Sequence, residues 1–305
     1  MTLIETSIYV KYLYLYVHIA IYRAGDLMKH RTTIEFPPDL WEKLCNHVPE
    51  RKKSSFIIEA IKEKLAKESM KAIILCGGEG TRLRPLTLST PKPMLPLGYR
   101  PLLEHSILYF NNLGINNFIL AIGYLGEHII KYFNDGSSLG VNIEYSTEHK
   151  ALGTGGAIKN AEKFINSTFL VINGDVVFRD LNLREALQFH KENNALATIV
   201  VTKVNDAKRF GLVEIGKNGK IISFIEKPKY SISGYINAGL YILEPKIFDY
   251  IKSGEKVSIE NDVFPVLVEE GKLFAYKHNG YWIDIGLPED YERAQADFLM
   301  GKIRK

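Results

Sequence analysis

The chain has 305 residues, 46% hydrophobic and 24% charged, a balance that suits a folded protein with a sizeable core and room for more than one domain. Its formal net charge of +4 is mildly basic, compatible with phosphorylated ligands without marking a nucleic-acid binder. Two cysteines, Cys45 and Cys76, and eight scattered histidines give neither a disulfide framework nor a zinc-ligand spacing, and fit a reducing, cytoplasmic setting.

Residues 1–27 differ in character from the rest of the chain. Their apolar, tyrosine-rich run Ile8–Tyr22 carries Lys11 and His18. It falls short of the ~20 apolar residues that cross a bilayer, and no small-residue cleavage site closes it. We expect this segment to lie outside the fold, with translation starting at Met28, and we expect no membrane partner.

Residues 28–68 read as a small separate unit. Arg31–Phe36 alternates like a half-buried strand with Ile34 and Phe36 inward, and Pro37-Pro38 stop it. A helix comes next with Leu40, Leu44 and Val48 on one face. Ser54 then caps a second helix whose stripe is Phe56, Ile57, Ala60, Ile61 and Leu65. Strand, helix and capped helix in so short a span resemble the ribbon-helix-helix DNA-binding proteins. The resemblance implies dimerisation through the strand, with Arg31, Thr33 and Glu35 facing outward. Glu35 departs from it, because a carboxylate in a DNA groove repels phosphate. Plain dimerisation is therefore favoured over DNA binding.

The rest, residues 70–305, alternates apolar strands with helical segments, the pattern of a mostly parallel sheet covered on both faces. The first strand, Ala72-Ile73-Ile74-Leu75, runs into Gly77-Gly78-Glu79-Gly80-Thr81-Arg82. Glycines there let backbone N–H groups approach an anion, and Arg82 with Lys92 adds a guanidinium fork and a point charge. A P-loop is excluded, because no Lys-Ser/Thr pair comes after the glycines. A dinucleotide fingerprint is excluded too, because Leu83 stands where its last glycine belongs.

What remains, G-x-G-T-R-L-x-P-L-T and then P-K-P-M, resembles the signature of the sugar-1-phosphate nucleotidylyltransferases, which make NDP-sugars. The resemblance implies an α/β fold of Rossmann-like type with a mostly parallel mixed sheet flanked by helices. It also implies a nucleotide site at Gly77, Gly78, Gly80, Thr81, Arg82 and Lys92.

Farther on, helices are expected at Pro101–Leu113 and Gly126–Phe133, and strands at Asn117–Ile122 and Val141–Glu148. Leu152-Gly153-Thr154-Gly155-Gly156-Ala157 is similar to the family's L-G-T-x-G-A segment, which implies base-side contacts at Gly153 and Thr154 with Glu148 as an acceptor. Phe169–Asp175 is an apolar strand ending in a carboxylate, where ligands of parallel sheets bind. The resemblance pairs Asp175 with Asp284, in Trp282-Ile283-Asp284-Ile285-Gly286, as oxygen ligands for Mg²⁺.

On the sugar side, Arg209-Phe210-Gly211 precedes a strand, Phe224–Pro228 resembles F-x-E-K-P, and Asn237-Ala238-Gly239 resembles the family's N-x-G. These imply that Gly211, Glu226, Lys227, Asn237 and Gly239 hold the sugar 1-phosphate, with Lys227 neutralising its phosphate. Ser258–Asp262 and Phe264-Pro265 also match, in a role read as mostly architectural. A helix over Tyr291–Leu299 ends the domain.

The implied reaction joins an NTP to a sugar 1-phosphate and releases pyrophosphate. Arg82, Lys92, Asp175 and Lys227 are its catalytic residues, and no general base is needed. The strings lean towards the mannose-1-phosphate or heptose-1-phosphate guanylyltransferase branch, with GTP. A UTP- or dTTP-dependent glucose-1-phosphate-type enzyme is the alternative. A DNA-binding regulator whose larger domain senses a nucleotide or sugar phosphate is the rival of another class. A homodimer or higher oligomer is expected.

Overall fold

The computed structural model describes residues 21–23, 26–30, 35–58, 60 and 70–303. The chain divides into two units, residues 1–68 and 69–305.

In the first unit, strand β1 (Ile21–Arg23) pairs antiparallel with β2 (Asp26–His30). Five residues of the segment expected to lie outside the fold, Ile21–Arg23 with Asp26 and Leu27, thus sit in strands. The ribbon expected over Arg31–Phe36 is corrected at its end: Glu35 and Phe36 are not in a strand, and Arg31, Thr33 and Ile34 lie outside the described residues. Pro37 and Pro38 offer no N–H to a ladder, so an extended segment running into them loses its pairing there. Pro38 opens the helix Pro38–His47 at its first turn, where a missing N–H costs nothing. Leu44 and Val48 bury against Ile57, with Phe36 and Trp41 alongside, whereas Leu40 and Phe56 are exposed. A second helical stretch runs from residue 53, one residue ahead of the expected cap Ser54.

The second unit is built on a nine-stranded sheet. Its first strands are β3 (Lys71–Cys76), β6 (Asn117–Ile122), β7 (Asn142–Thr147) and β8 (Phe169–Asn173), all parallel, in the order β8-β3-β6-β7. Two small antiparallel pairs lie off the sheet. One is a hairpin of β4 (Pro96–Leu97) and β5 (Arg100–Pro101), and the other brings together β9 (Val176–Phe178) and β15 (Trp282–Asp284) from distant parts of the chain. The other half of the sheet is β10 (Ala197–Val204), β11 (Gly211–Ile215), β12 (Ile221–Glu226), β13 (Gly234–Leu243) and β14 (Leu273–Lys277).

The ten-residue β13 is the hinge of the topology. One of its edges pairs with β10 along nearly its whole length. Its other edge is shared: Tyr235 and Ile236 pair with β11, while Leu240–Leu243 pair with β8. β14 then extends the sheet in parallel beside β10.

Strands buried on both faces read as continuous apolar runs. On β3, Ile73 joins one core with Phe169, Val171, Tyr241 and Phe264, while Ala72 and Ile74 join the other with Phe110, Phe118 and Leu240. The helices Gly153–Asn160 and Phe264–Glu269 cover the first face. Leu102–Asn112, Gly126–Phe133 and Leu183–Glu192 cover the second. The expected helices and strands of this half stand within a residue or so of their predicted ends, except that the strand expected over Phe169–Asp175 stops at Asn173. The last helix is longer than expected, Pro288–Leu299, because Pro288 takes its first position.

Candidate active site

β3 ends at Cys76, and the chain turns through Gly77 and Gly78 to Gly80, whose φ of +64° lies in the left-handed region. A Cβ there would lie 3.0 Å from Thr87 Cγ2 and 3.1 Å from Lys92 Cβ, so the turn is closed on both sides. The Thr87 hydroxyl donates to the Gly80 carbonyl at 2.8 Å and fixes the loop. Thr81–Leu83 then form one tight turn that carries Arg82.

Gly77, Gly78, Gly80, Thr81, Arg82 and Lys92 line one cleft of about 440 Å³ with Glu148, Gly153, Thr154 and Asp175. Every residue read as a nucleotide contact therefore faces a single space, at the carboxyl ends of the parallel strands, where α/β sheets bind ligands. A larger cavity of about 1210 Å³ opens beside Met70, Thr168 and Leu196, which precede β3, β8 and β10. It lies at the opposite ends of β3 and β8 and holds none of the signature residues.

Glu148 commits one oxygen to its own loop: Oε2 accepts the Leu152 N–H at 2.9 Å, and burial pushes its carboxyl up. Gly153 has a φ of +73°, and a Cβ on it would meet the Val257 carbonyl oxygen at 2.5 Å. The Gly155 N–H donates to that same carbonyl at 2.9 Å. The Thr154 hydroxyl donates to Glu260 Oε2 at 2.5 Å and accepts the Ile259 N–H at 3.0 Å. Thr154 thus fastens the cleft wall to the segment Ile259–Val263 as well as facing the cleft.

Asp175 comes just after β8 and pairs with the buried ammonium of Lys92. The Ile285 N–H donates to the Asp175 carbonyl at 2.9 Å, and β15 places Asp284 opposite Val176, the residue after Asp175. The two carboxylates expected to meet are therefore brought together by the antiparallel pairing of β9 with β15. Burial first, then the charge of Asp175, pushes Asp284 up to about 7, with Lys92 and Arg209 pulling the other way. Two hard oxygen donors whose charges oppose each other fit a divalent cation, with the remaining positions left to phosphate and water. Among the described residues no group of three or more His, Cys, Asp or Glu adds further ligands.

On the sugar side, β11 pairs Gly211 with Glu226, and a Cβ on Gly211 would lie 2.9 Å from Glu226 Oε2. Burial, then the charge of Glu260, raises Glu226, which Lys227 opposes. Lys227 has a left-handed backbone (φ +50°), its N–H donates to the Phe210 carbonyl at 3.0 Å, and its ammonium is largely exposed. Asn237 accepts the Gly239 N–H and donates to the Tyr241 hydroxyl, both at 2.9 Å, and Tyr241 donates on to Glu260 at 3.2 Å. Gly239, at φ +77°, lies against the Asn173 side chain.

Three further residues join the site. Asn173 and Lys256 also line the cleft, and Arg209 reaches Asp284. Lys256 had no signal, being one of many scattered lysines. Asn173 and Arg209 stood inside recognisable strings, where their partners far along the chain were invisible.

With this geometry in view, residues 71–300 match the nucleotidyl transferase family, and the chain belongs to that family of transferases. Its curated relatives include the mannose-1-phosphate guanylyltransferase of Mycobacterium tuberculosis, 42% identical over 240 residues. That alignment covers 78% of this chain and 67% of the relative. The mannose-1-phosphate guanyltransferase of Saccharomyces cerevisiae is 41% identical over 228 residues, covering 73% and 63%. The chain thus spans roughly two thirds of these relatives' length.

Among solved structures, a putative glucose-1-phosphate thymidylyltransferase from Bacillus anthracis aligns with a TM-score of 0.68 at 31% identity, over 75% of this chain and 94% of that one. HddC from Yersinia pseudotuberculosis aligns at 0.66 and 33%, over 75% and 99%. Nucleotidyltransferases of this family generally use a divalent metal ion. Among the described residues, no helix is long and apolar enough to cross a membrane.

Proposed function

We propose that this protein makes an NDP-sugar from an NTP and a sugar 1-phosphate, with GTP and mannose 1-phosphate as the preferred pair. The observation that carries the reading is one cleft uniting the glycine loop, Arg82, Lys92, Glu148, Gly153 and Thr154 with Asp175, beside which β15 sets Asp284 opposite Val176. The preference for GTP and mannose 1-phosphate draws support from the relatives in Mycobacterium tuberculosis and Saccharomyces cerevisiae. The likeness to the Bacillus anthracis structure favours dTTP with glucose 1-phosphate as the second reading.

In this reaction a phosphate oxygen of the sugar 1-phosphate attacks the α-phosphorus of the NTP. A new P–O bond forms as the bond to the β-phosphate breaks, and pyrophosphate carries away the negative charge. The nucleophile is already an anion near neutral pH, so the residues need only position it and offset charge. Glycine-loop amides and Arg82 would bind the triphosphate. Lys92 would balance it, and Lys227 would receive the sugar phosphate. Glu226, Asn237 and the Gly211 and Gly239 backbones would set the hydroxyls. Asp175 and Asp284 would hold Mg²⁺, which supplies neutralisation of the α-phosphate when bound.

For residues 28–68 we propose self-association of two chains, with DNA binding the less favoured role. The need for nucleoside triphosphates puts the activity in the cytoplasm.

The test is pyrophosphate release with Mg²⁺ across a grid of NTPs and sugar 1-phosphates. One strong pair is expected, and silence across the grid from folded protein would overturn the reading. Within the active pair, Arg82→Ala should lower kcat by at least ~10²-fold, the scale of losing one preorganised stabiliser. Near-normal kcat would remove Arg82 from the mechanism.

A further inference from the structure

Arg209 neither lines the cleft nor carries a role in the reaction, yet it touches the site at its most charged point. Its Nη2 donates to Asp290 Oδ2 at 2.5 Å and to Asp284 Oδ1 at 3.4 Å. Its Nε is buried with no hydrogen-bond partner. A guanidinium that leaves one donor unsatisfied carries a desolvation cost, and the arrangement bears it while keeping Nη2 between two carboxylates.

Both ends of this contact are anchored. Asp290, buried in the first turn of the helix Pro288–Leu299, accepts the Leu287 N–H at 3.2 Å and an Arg293 Nη2 donor at 3.3 Å. On the other side, the Arg209 guanidinium lies 5.3 Å from the Phe210 ring, which packs edge-on against Trp282 at 5.5 Å. Trp282 stands two residues before Asp284, and its indole donates to the Ala238 carbonyl at 2.8 Å. A Cβ on Gly286 would lie 2.5 Å from Asp284 Oδ1 and 3.1 Å from Arg209 Nη2, so glycine leaves the room this contact uses.

We propose that Arg209 is a positioning residue for Asp284: it engages Oδ1, leaves the other oxygen for a divalent cation, and ties that orientation through Asp290 to the last helix. Carboxylate ligands depend on such outer partners, whose loss typically costs about 10–100-fold in metal affinity or activity. The inference rests on the proposed nucleotidyltransferase activity.

The test is Mn²⁺ binding to the full chain with GTP present, measured by calorimetry for wild type and Arg209→Met, alongside turnover against metal concentration. The Mn²⁺ dissociation constant should rise about 10–100-fold in R209M. Metal-free GTP binding should stay unchanged, and excess Mn²⁺ should recover kcat. Arg209→Lys, which keeps the charge without the fork, should fall between. If R209M fails to fold, Arg209→Gln, which keeps a polar tip but neither the charge nor the fork of the guanidinium, should weaken Mn²⁺ in the same direction. An unchanged dissociation constant in the folded variant, with wild-type turnover intact, overturns the positioning role and leaves the activity standing. A wild type that binds Mn²⁺ with GTP yet releases no pyrophosphate with any sugar 1-phosphate overturns the activity reading instead.

Discussion

Glu226 shows how a single side chain reports its surroundings. Burial and the charge of Glu260 raise it above the ordinary 4.5, so the folded protein holds a proton that the unfolded chain has already released. Stability drawn from that proton is present at low pH and is lost as pH rises from about 4.5 through the raised value. Thermal melts at about pH 5 and about pH 8 should therefore show Glu226→Gln gaining on wild type at the higher pH; an equal difference at both would contradict the burial argument. Gly239 offers a second test. Its left-handed backbone and the Asn173 amide, 2.8 Å from where a Cβ would stand, make Gly239→Ala strained on two counts. Denaturant unfolding should register a loss of about 1–3 kcal/mol, and KM for the sugar 1-phosphate should rise more than that for the NTP.

Elements in this fold are tied by polar side chains at the places where the apolar core stops. The Thr154 hydroxyl, Glu260, the fully buried Tyr241 and Asn237 form one connected chain of hydrogen bonds from the helix Gly153–Asn160 to β13. Removing its middle with Tyr241→Phe leaves Asn237 and Glu260 each one partner short. Urea unfolding should show a loss of about 1–3 kcal/mol.

None of this chain of bonds was legible in the sequence. Gly80 and Gly153 announce turns because only glycine tolerates the backbone or the approach, and apolar runs announce buried strands. Thr154 and Glu260, by contrast, stand 106 residues apart, and no local pattern joins them. Asp175 and Asp284 are matched only through a family resemblance, since the strands that bring them together, β9 and β15, are short and lie far apart in the chain. Arg209 reads from the sequence only as a residue ahead of a strand, because its partners, Asp284 and Asp290, belong to a distant strand and helix.

At the scale of the whole molecule, the family match begins at residue 71, just past the boundary between the two units. A protein trimmed to residues 70–305 should keep its melting transition and its pyrophosphate release. If residues 28–68 serve self-association, light scattering should give fewer chains per particle for the trimmed protein than for the full chain. Equal numbers of chains per particle would withdraw that role.

The division of β13 between two neighbours also has a mechanical meaning. Its Tyr235–Ile236 end belongs to the half that carries Glu226 and Gly211, and its Leu240–Leu243 end is zipped to β8, the strand that delivers Asp175. The two substrate halves therefore share one strand, and the β10–β13 ladder shifts register between Ile199 and Val201, opposite the stretch where β13 passes from one neighbour to the other. Amide exchange along Leu240–Leu243 should be among the slowest in the chain, proceeding only through global unfolding. Any movement of one half against the other must then bend β13 where it changes neighbour, beside the left-handed Gly239.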